Sequence, residues 1–146
     1  MYNDAYFDRH EWHWVAKSSS EILCLAAKFG FPRNRGYVLD IGCGDGFYMR
    51  QFQTASRPIF GCDISLVGLR RAKSAGSVFC PDAVALPVRN GVIKHIFCSE
   101  VLEHLSDPLS ALREMHRISS EGGILFLTTT YHFIGIRLLV GMVKRI

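Results

Sequence analysis

The sequence predicts an α/β fold, a parallel sheet with helices on both faces. Two observations carry this. Short β-branched and aromatic runs alternate with helix-forming runs at close spacing, the pattern of strand-helix-strand units. One run, Tyr37-Val38-Leu39-Asp40-Ile41, leads into glycines at 42, 44 and 46 and then into Phe47-Tyr48-Met49-Arg50-Gln51-Phe52. A strand, a glycine turn and a helix start leave N–H groups exposed, so a small ligand can lie against the backbone.

Composition narrows the class. At 146 residues, 49% hydrophobic and 21% charged, the chain fits one globular domain with a real core. The net charge of +4 is scattered over Arg33/Arg35, Arg70/Arg71/Lys73 and Lys144/Arg145, so there is no strong nucleic-acid signal. The polar, acidic N-terminus lacks the order of a signal peptide, and no stretch approaches the ~20 apolar residues of a membrane span. A soluble, cytoplasmic protein is expected. Cys24, Cys43, Cys62, Cys80 and Cys98 form no C-x-x-C pair and are expected as apolar filler without a disulfide.

Three segments are expected: 1–36, an aromatic stretch and leading helix; 37–131, the core domain; and 132–146, a C-terminal apolar helix. Residues 7–17 hold Phe7, His10, Trp12, His13 and Trp14, expected as a lid or packing strip. After Ser18-Ser19-Ser20, residues 21–29 show helical apolar spacing closed by Gly30. Ile59–Asp63 reads as the second strand. Ser65 caps a helix over 66–75 that Gly76 ends. Residues 77–80 give a third strand, 92–98 a fourth and 124–130 a fifth. Asp107-Pro108 starts the helix before that last strand, with the acid as cap and proline at the first position.

Asp40, Asp63 and Asp82 stand at the ends of three successive strands, 23 and 19 residues apart. In an open parallel sheet, ligands bind at that edge. Asp63, 19 residues after Gly44, has the spacing at which a carboxylate takes both hydroxyls of a ribose. Ile64 can lie flat on a purine, and Asp82 with the Ala83 backbone can read its polar edge. A dinucleotide fingerprint would place its third glycine where Phe47 stands, and an acid at the end of the first strand disfavours pyrophosphate. Asp40 favours a cation instead.

These pieces, with Leu86-Pro87, Ser99-Glu100-Val101-Leu102-Glu103-His104-Leu105-Ser106-Asp107-Pro108 and Gly122-Gly123-Ile124-Leu125, resemble a class I S-adenosylmethionine-dependent methyltransferase over residues 37–130. The resemblance implies a Rossmann-like doubly wound sheet with five visible strands in the order 3-2-1-4-5. The family's sixth and seventh strands would be missing from a chain truncated after the fifth. It implies S-adenosyl-L-methionine as cofactor. Asp40 and the Gly42-Cys43-Gly44 backbone, with Gly46, would hold its methionine part. Asp63 would hold the ribose, Ile64 the adenine face and Asp82/Ala83 its edge. Ser99 would line the methyl side. The acceptor would be small-molecule, lipid- or sugar-linked, and the sheet edge left open by the missing strands offers a place for an oligomer contact or partner.

Glu100, Glu103 and His104 fall at i, i+3 and i+4, one face of a helical turn, where two carboxylates and an imidazole can ligate a divalent metal. His132 is a candidate fourth ligand. That pattern resembles metal-assisted enzymes acting on RNA ribose or quinone precursors. Without metal, His104 is the candidate general base. The functions expected are methyl transfer by an enzyme, or a cofactor-binding module that does no catalysis alone.

Overall fold

The computed structural model describes residues 12–32, 35–133 and 136–145, with side chains described over 19–32 and 35–129. Helix α1 spans Trp12–Lys28 and strand β1 Val38–Ile41; α2 is Phe47–Phe52, β2 Ile59–Cys62, α3 Leu66–Ala72 and β3 Ser77–Phe79. Strand β4 covers Ile93–Ser99, a short 3-10 helix Leu102–His104, α4 Pro108–Ile118, β5 Ser119–Phe133 and β6 Ile136–Arg145. The sheet order is β3-β2-β1-β4-β5-β6. The first five strands run parallel, as the sequence implies. Strand order reverses between β1 and β4, so the carboxyl ends of those strands open onto the crevice where ligands bind in such sheets.

Side-chain alternation along β1 assigns each residue to a layer. Val38 joins the core under α1, α2 and α3 with Ile22, Ala26, Met49, Leu69, Phe97 and Phe126. Leu39 and Ile41 join the opposite core under α4 with Ile96, Cys98, Ala111, Met115 and Ile118. Asp40 shares Val38's face by the two-residue period of a strand. It pairs in register with Phe97 on β4 and Gly61 on β2. Gly61 is the gap that lets α2 approach: a Cβ there would run into the Met49 and Cys43 sulfurs. Helix α4 begins as the sequence indicates, with Asp107 accepting from Ser110 N at 3.0 Å and Pro108 in the first turn.

Two expectations need correction. The leading helix does not start after the serines: α1 runs through Ser18-Ser19-Ser20. Ser19 is buried and stands three and seven residues before Ile22 and Ala26, so it extends their stripe. The helix is expected only from residue 21 because the polarity of the serines hides that spacing. The second correction concerns 132–146, expected as a helix in a chain without a sixth strand. Ile136–Arg145 forms β6, antiparallel to β5 from Phe133↔Ile136 to Ile124↔Arg145. An unpaired β5 edge offers a full row of backbone partners, and Ile136, Val140 and Val143 suit a strand. The edge expected to await a partner is thus filled by the chain itself. His10 and Ile146 lie outside the described residues, as do the side chains of Trp12, His13, Trp14 and His132.

Phe97 sits at the centre of an aromatic cluster, with ring centroids 4.7 Å from Tyr48, 5.0 Å from Phe52 and 5.2 Å from Phe126. Phe97→Ala is expected to cost roughly 3–5 kcal/mol of stability, the range for emptying a packed aromatic site. Urea denaturation measures it, and a loss under 1 kcal/mol would mean that the cluster does not hold the two layers together.

Candidate functional site

The loop after β1 is built from glycine because its backbone turns left-handed three times. Gly42, Gly44 and Gly46 have φ of 76°, 52° and 84°. A Cβ on Gly42 would collide with Val101, and one on Gly46 would meet Ala72 Cα at 3.0 Å, where α2 passes α3. The loop is tied to the tip of β2. Gly42 N and Cys43 N donate to Cys62 O at 2.7 and 3.0 Å, and Gly44 N donates to Asp63 Oδ2 at 2.8 Å. The Cys43 side chain is buried in the core, so it adds no side chain to the site.

Asp40 lies beneath this loop, 1% exposed, and its Oδ2 has no hydrogen-bond partner among the described residues. Burial, with repulsion from Asp63 and then Asp45, raises its pKa to about 8. Most carboxyls that are buried at neutral pH find a donor or a cation, and Asp40 keeps an oxygen ready for one.

Asp63 stands at the tip of β2 and accepts from Gly44 N through Oδ2 and from Ser65 N, at 2.7 Å, through Oδ1. A carboxylate has about four acceptor positions, so two remain. Ile64 beside it is 72% exposed, an apolar side chain facing solvent at the site's rim. Asp82 is exposed beyond β3, and its Oδ1 accepts from Val84 N at 3.1 Å, which closes a tight turn that includes Ala83.

The carboxyl ends of β4 and β5 supply the other wall. Ser99 Oγ and Thr128 Oγ1 lie 2.8 Å apart, and Thr128 Oγ1 donates to Glu100 Oε1 at 3.3 Å. Tyr48 on α2 joins them, its hydroxyl bonded to Ser19 and Ser99; burial raises its pKa, so it stays a neutral phenol. Sequence reasoning missed Tyr48, taken only as a helix former, and Thr128, whose signal is the polar run Thr128-Thr129-Thr130 closing an apolar strand.

The Glu-His cluster does not assemble as expected. Glu100 has φ 57°, the one non-glycine residue with positive φ among those described. That break takes it off the 3-10 helix carrying Glu103 and His104, so the three do not share a helical face. Glu100 turns to Thr128, Glu103 Oε2 accepts from Thr129 at 3.0 Å, and His104 is exposed. Among the described residues no three His, Cys, Asp or Glu side chains come together as a metal site. Nor is any described helix long and apolar enough to cross a membrane.

The raised pKa has a consequence for stability. Folding favours the protonated Asp40, so its contribution is full below the ordinary aspartate range and is lost as pH rises through about 8. Without ligand, the wild type is expected to lose at least ~3 °C of melting temperature between pH 5 and 8.5 relative to Asp40→Asn, the shift of about 1 kcal/mol in a domain of this size. Thermal melts at the two pH values measure it; parallel curves would mean that Asp40 is ionised at no cost.

Comparison with known proteins agrees with this geometry. A family profile described as a methyltransferase domain matches residues 39–127. The chain is 32% identical over 118 residues to malonyl-[acyl-carrier protein] O-methyltransferase of Pseudescherichia vulneris, covering 79% of this chain and 46% of that protein. It is 32% identical over 100 residues to ubiquinone biosynthesis O-methyltransferase of Bordetella bronchiseptica, covering 63% and 42%. The chain thus spans less than half the length of these relatives. Among solved structures, YcgJ protein from Bacillus subtilis superposes with a TM-score of 0.70 at 26% identity, over 77% of this chain and 51% of that one. With the sheet order and glycine loop already described, the chain belongs to the class I S-adenosylmethionine-dependent methyltransferases.

Proposed function

We propose that this domain binds S-adenosylmethionine and directs its methyl group to an oxygen of a small-molecule, lipid- or sugar-linked acceptor. One observation carries the cofactor assignment: the buried Asp40 oxygen without a partner among the described residues, under a loop whose Gly42 and Gly46 have no room for a Cβ. A cation answers that oxygen once the carboxyl ionises, whereas a phosphate offers it no opposite charge. The residues around it fit the rest of the molecule. Asp63 has two acceptor positions left for the ribose hydroxyls while it keeps Gly44 N and Ser65 N. Exposed Ile64 covers one adenine face, and Asp82 with Ala83 meets the adenine edge.

When bound, S-adenosylmethionine supplies a methyl group on a positively charged sulfur that is a good leaving group. The protein's task is then placement. Asp40 gives up its proton and holds the positive end of the cofactor's methionine part. Gly42, Gly44 and Gly46 let the backbone come close. Ser99, held by Tyr48 and Thr128, lines the methyl side. His104, exposed at the rim, takes the acceptor's proton where the acceptor oxygen carries one. The oxygen acceptor is supported by the two O-methyltransferase relatives.

A second function is favoured by the coverage of those relatives, less than half their length: a cofactor-binding module without transfer activity of its own. Titration calorimetry with S-adenosylmethionine, followed by an acceptor panel of a dicarboxylic monothioester, a catechol and a sugar-linked lipid, separates the two. Binding with methyl transfer supports the enzyme, binding without transfer to any acceptor the module, and absence of binding removes both. Asp63→Ala, checked for folding, is expected to weaken cofactor binding by about 1–3 kcal/mol, the size of lost charged hydrogen bonds. Unchanged affinity would remove Asp63 from the ribose site.

A further inference from the structure

Residues Asp82–Asn90 connect β3 to β4 with no regular structure beyond a bridge between Asp82 and Ala85. The connection is nevertheless locked onto α4 by one ion pair. Arg117 Nε and Nη2 donate to Glu114 Oε2 and Oε1 at 2.7 and 2.6 Å, a two-pronged pairing that holds the guanidinium plane in place. The remaining donors reach the loop: Nη2 to Leu86 O at 3.0 Å, Nη1 to Val88 O at 2.8 Å and to Asn90 Oδ1 at 2.5 Å. Glu114 Oε1 accepts in return from Leu86 N at 2.7 Å.

Leu86 is therefore fixed three ways, by its N–H, by its carbonyl and by a side chain buried against Ile93, Met115 and Ile118. Upstream of it the turn is stiff: Ala85 N donates to Asp82 O at 3.0 Å and Val84 N to Asp82 Oδ1. A rigid turn hung from a fixed residue places Asp82 and Ala83 without freedom to adjust. The Arg117 guanidinium also holds the Glu114 carboxyl below the usual glutamate range, so the pair stays charged at neutral pH.

We infer that Glu114 and Arg117 are positioning residues that set the selectivity of the cofactor site for adenine over other purines. This rests on the proposed placement of Asp82 and Ala83 at the adenine edge. Adenine presents an amino donor beside a ring-nitrogen acceptor, and hypoxanthine presents a carbonyl beside an N–H. A carboxylate and an N–H held in place accept the first pattern and oppose the second. A slack loop would let the carboxylate swing away, and the opposition would fade. A rigid support therefore shows itself in the ratio of the two affinities, more than in either affinity alone.

The test is calorimetric titration of S-adenosylhomocysteine and S-inosylhomocysteine into the wild type, Arg117→Lys, Glu114→Gln and Asp82→Ala, each checked for cooperative melting. Lysine keeps the charge but has three donors on one atom where Arg117 makes five bonds, and glutamine keeps the shape of Glu114 while weakening its hold on Arg117. Both changes are mild enough to leave the core intact. The wild type is expected to prefer the adenine ligand at least tenfold, and both variants are expected to cut that preference at least threefold. A merely structural role would weaken both ligands alike and leave the ratio at its wild-type value, which would overturn the inference. Asp82→Ala is expected to abolish the preference. If it does not, the adenine-edge assignment falls; if it does while Arg117→Lys and Glu114→Gln keep the ratio, only the positioning role falls. Failure of S-adenosylhomocysteine to bind the wild type would overturn the proposed function and this inference with it.

Discussion

The carboxyl edge of this sheet depends on a carboxyl group kept out of water at the end of β1. Alternation puts Asp40 on the same face as Val38, under α1 and α2, where an apolar residue would pack at no cost. The chain instead places an acid there, leaves its Oδ2 without a partner among the described residues and sets Asp63 and Asp45 close enough to oppose its charge. A local choice that works against folding in this way is expected where a site is being prepared. Its surroundings serve the same end. Left-handed glycines fold the backbone over the acid, Gly61 lets the Cys43 and Met49 side chains fill the floor, and Asp63 holds the loop through Gly44 N.

Much of this was legible in the sequence, for physical reasons. A strand followed by alternating glycines has few uses other than a close backbone approach. Three acids at strand ends share one edge whenever the strands are parallel neighbours. What stayed hidden depended on contacts between distant residues. Ser19 falls outside the leading helix expected from the sequence because its partner, Tyr48, lies across the layer on α2. Glu100 looked like a helical ligand because sequence spacing does not reveal a left-handed backbone. The E-x-x-R pair Glu114/Arg117 reads as an ordinary exposed i, i+3 ion pair, and only the fold brings the Leu86 and Val88 carbonyls to it. The final segment looked helical from its apolar content, yet the decisive fact was the open β5 edge beside it.

The two halves of the site differ in how they are held. The side around Asp40 and Asp63 is built from backbone: glycine turns, strand tips and N–H groups already bonded to Asp63. The side around Ser99 is built from hydroxyls, Tyr48, Ser99 and Thr128, linked to one another and to Glu100. In the proposed function the first arrangement would give fixed recognition of one cofactor, and the second would leave small polar groups around the methyl without committing the domain to one acceptor.

Proton linkage tests most directly whether Asp40 is the cation seat. Calorimetric titration of S-adenosylhomocysteine near pH 7, in buffers of different ionisation enthalpy, counts the protons exchanged on binding. Because Asp40 is largely protonated in the free chain, pairing with the ligand's ammonium should release a substantial fraction of a proton per site, and Asp40→Asn should abolish that release. Binding with no proton release in the wild type, or with the same release in Asp40→Asn, would contradict the account.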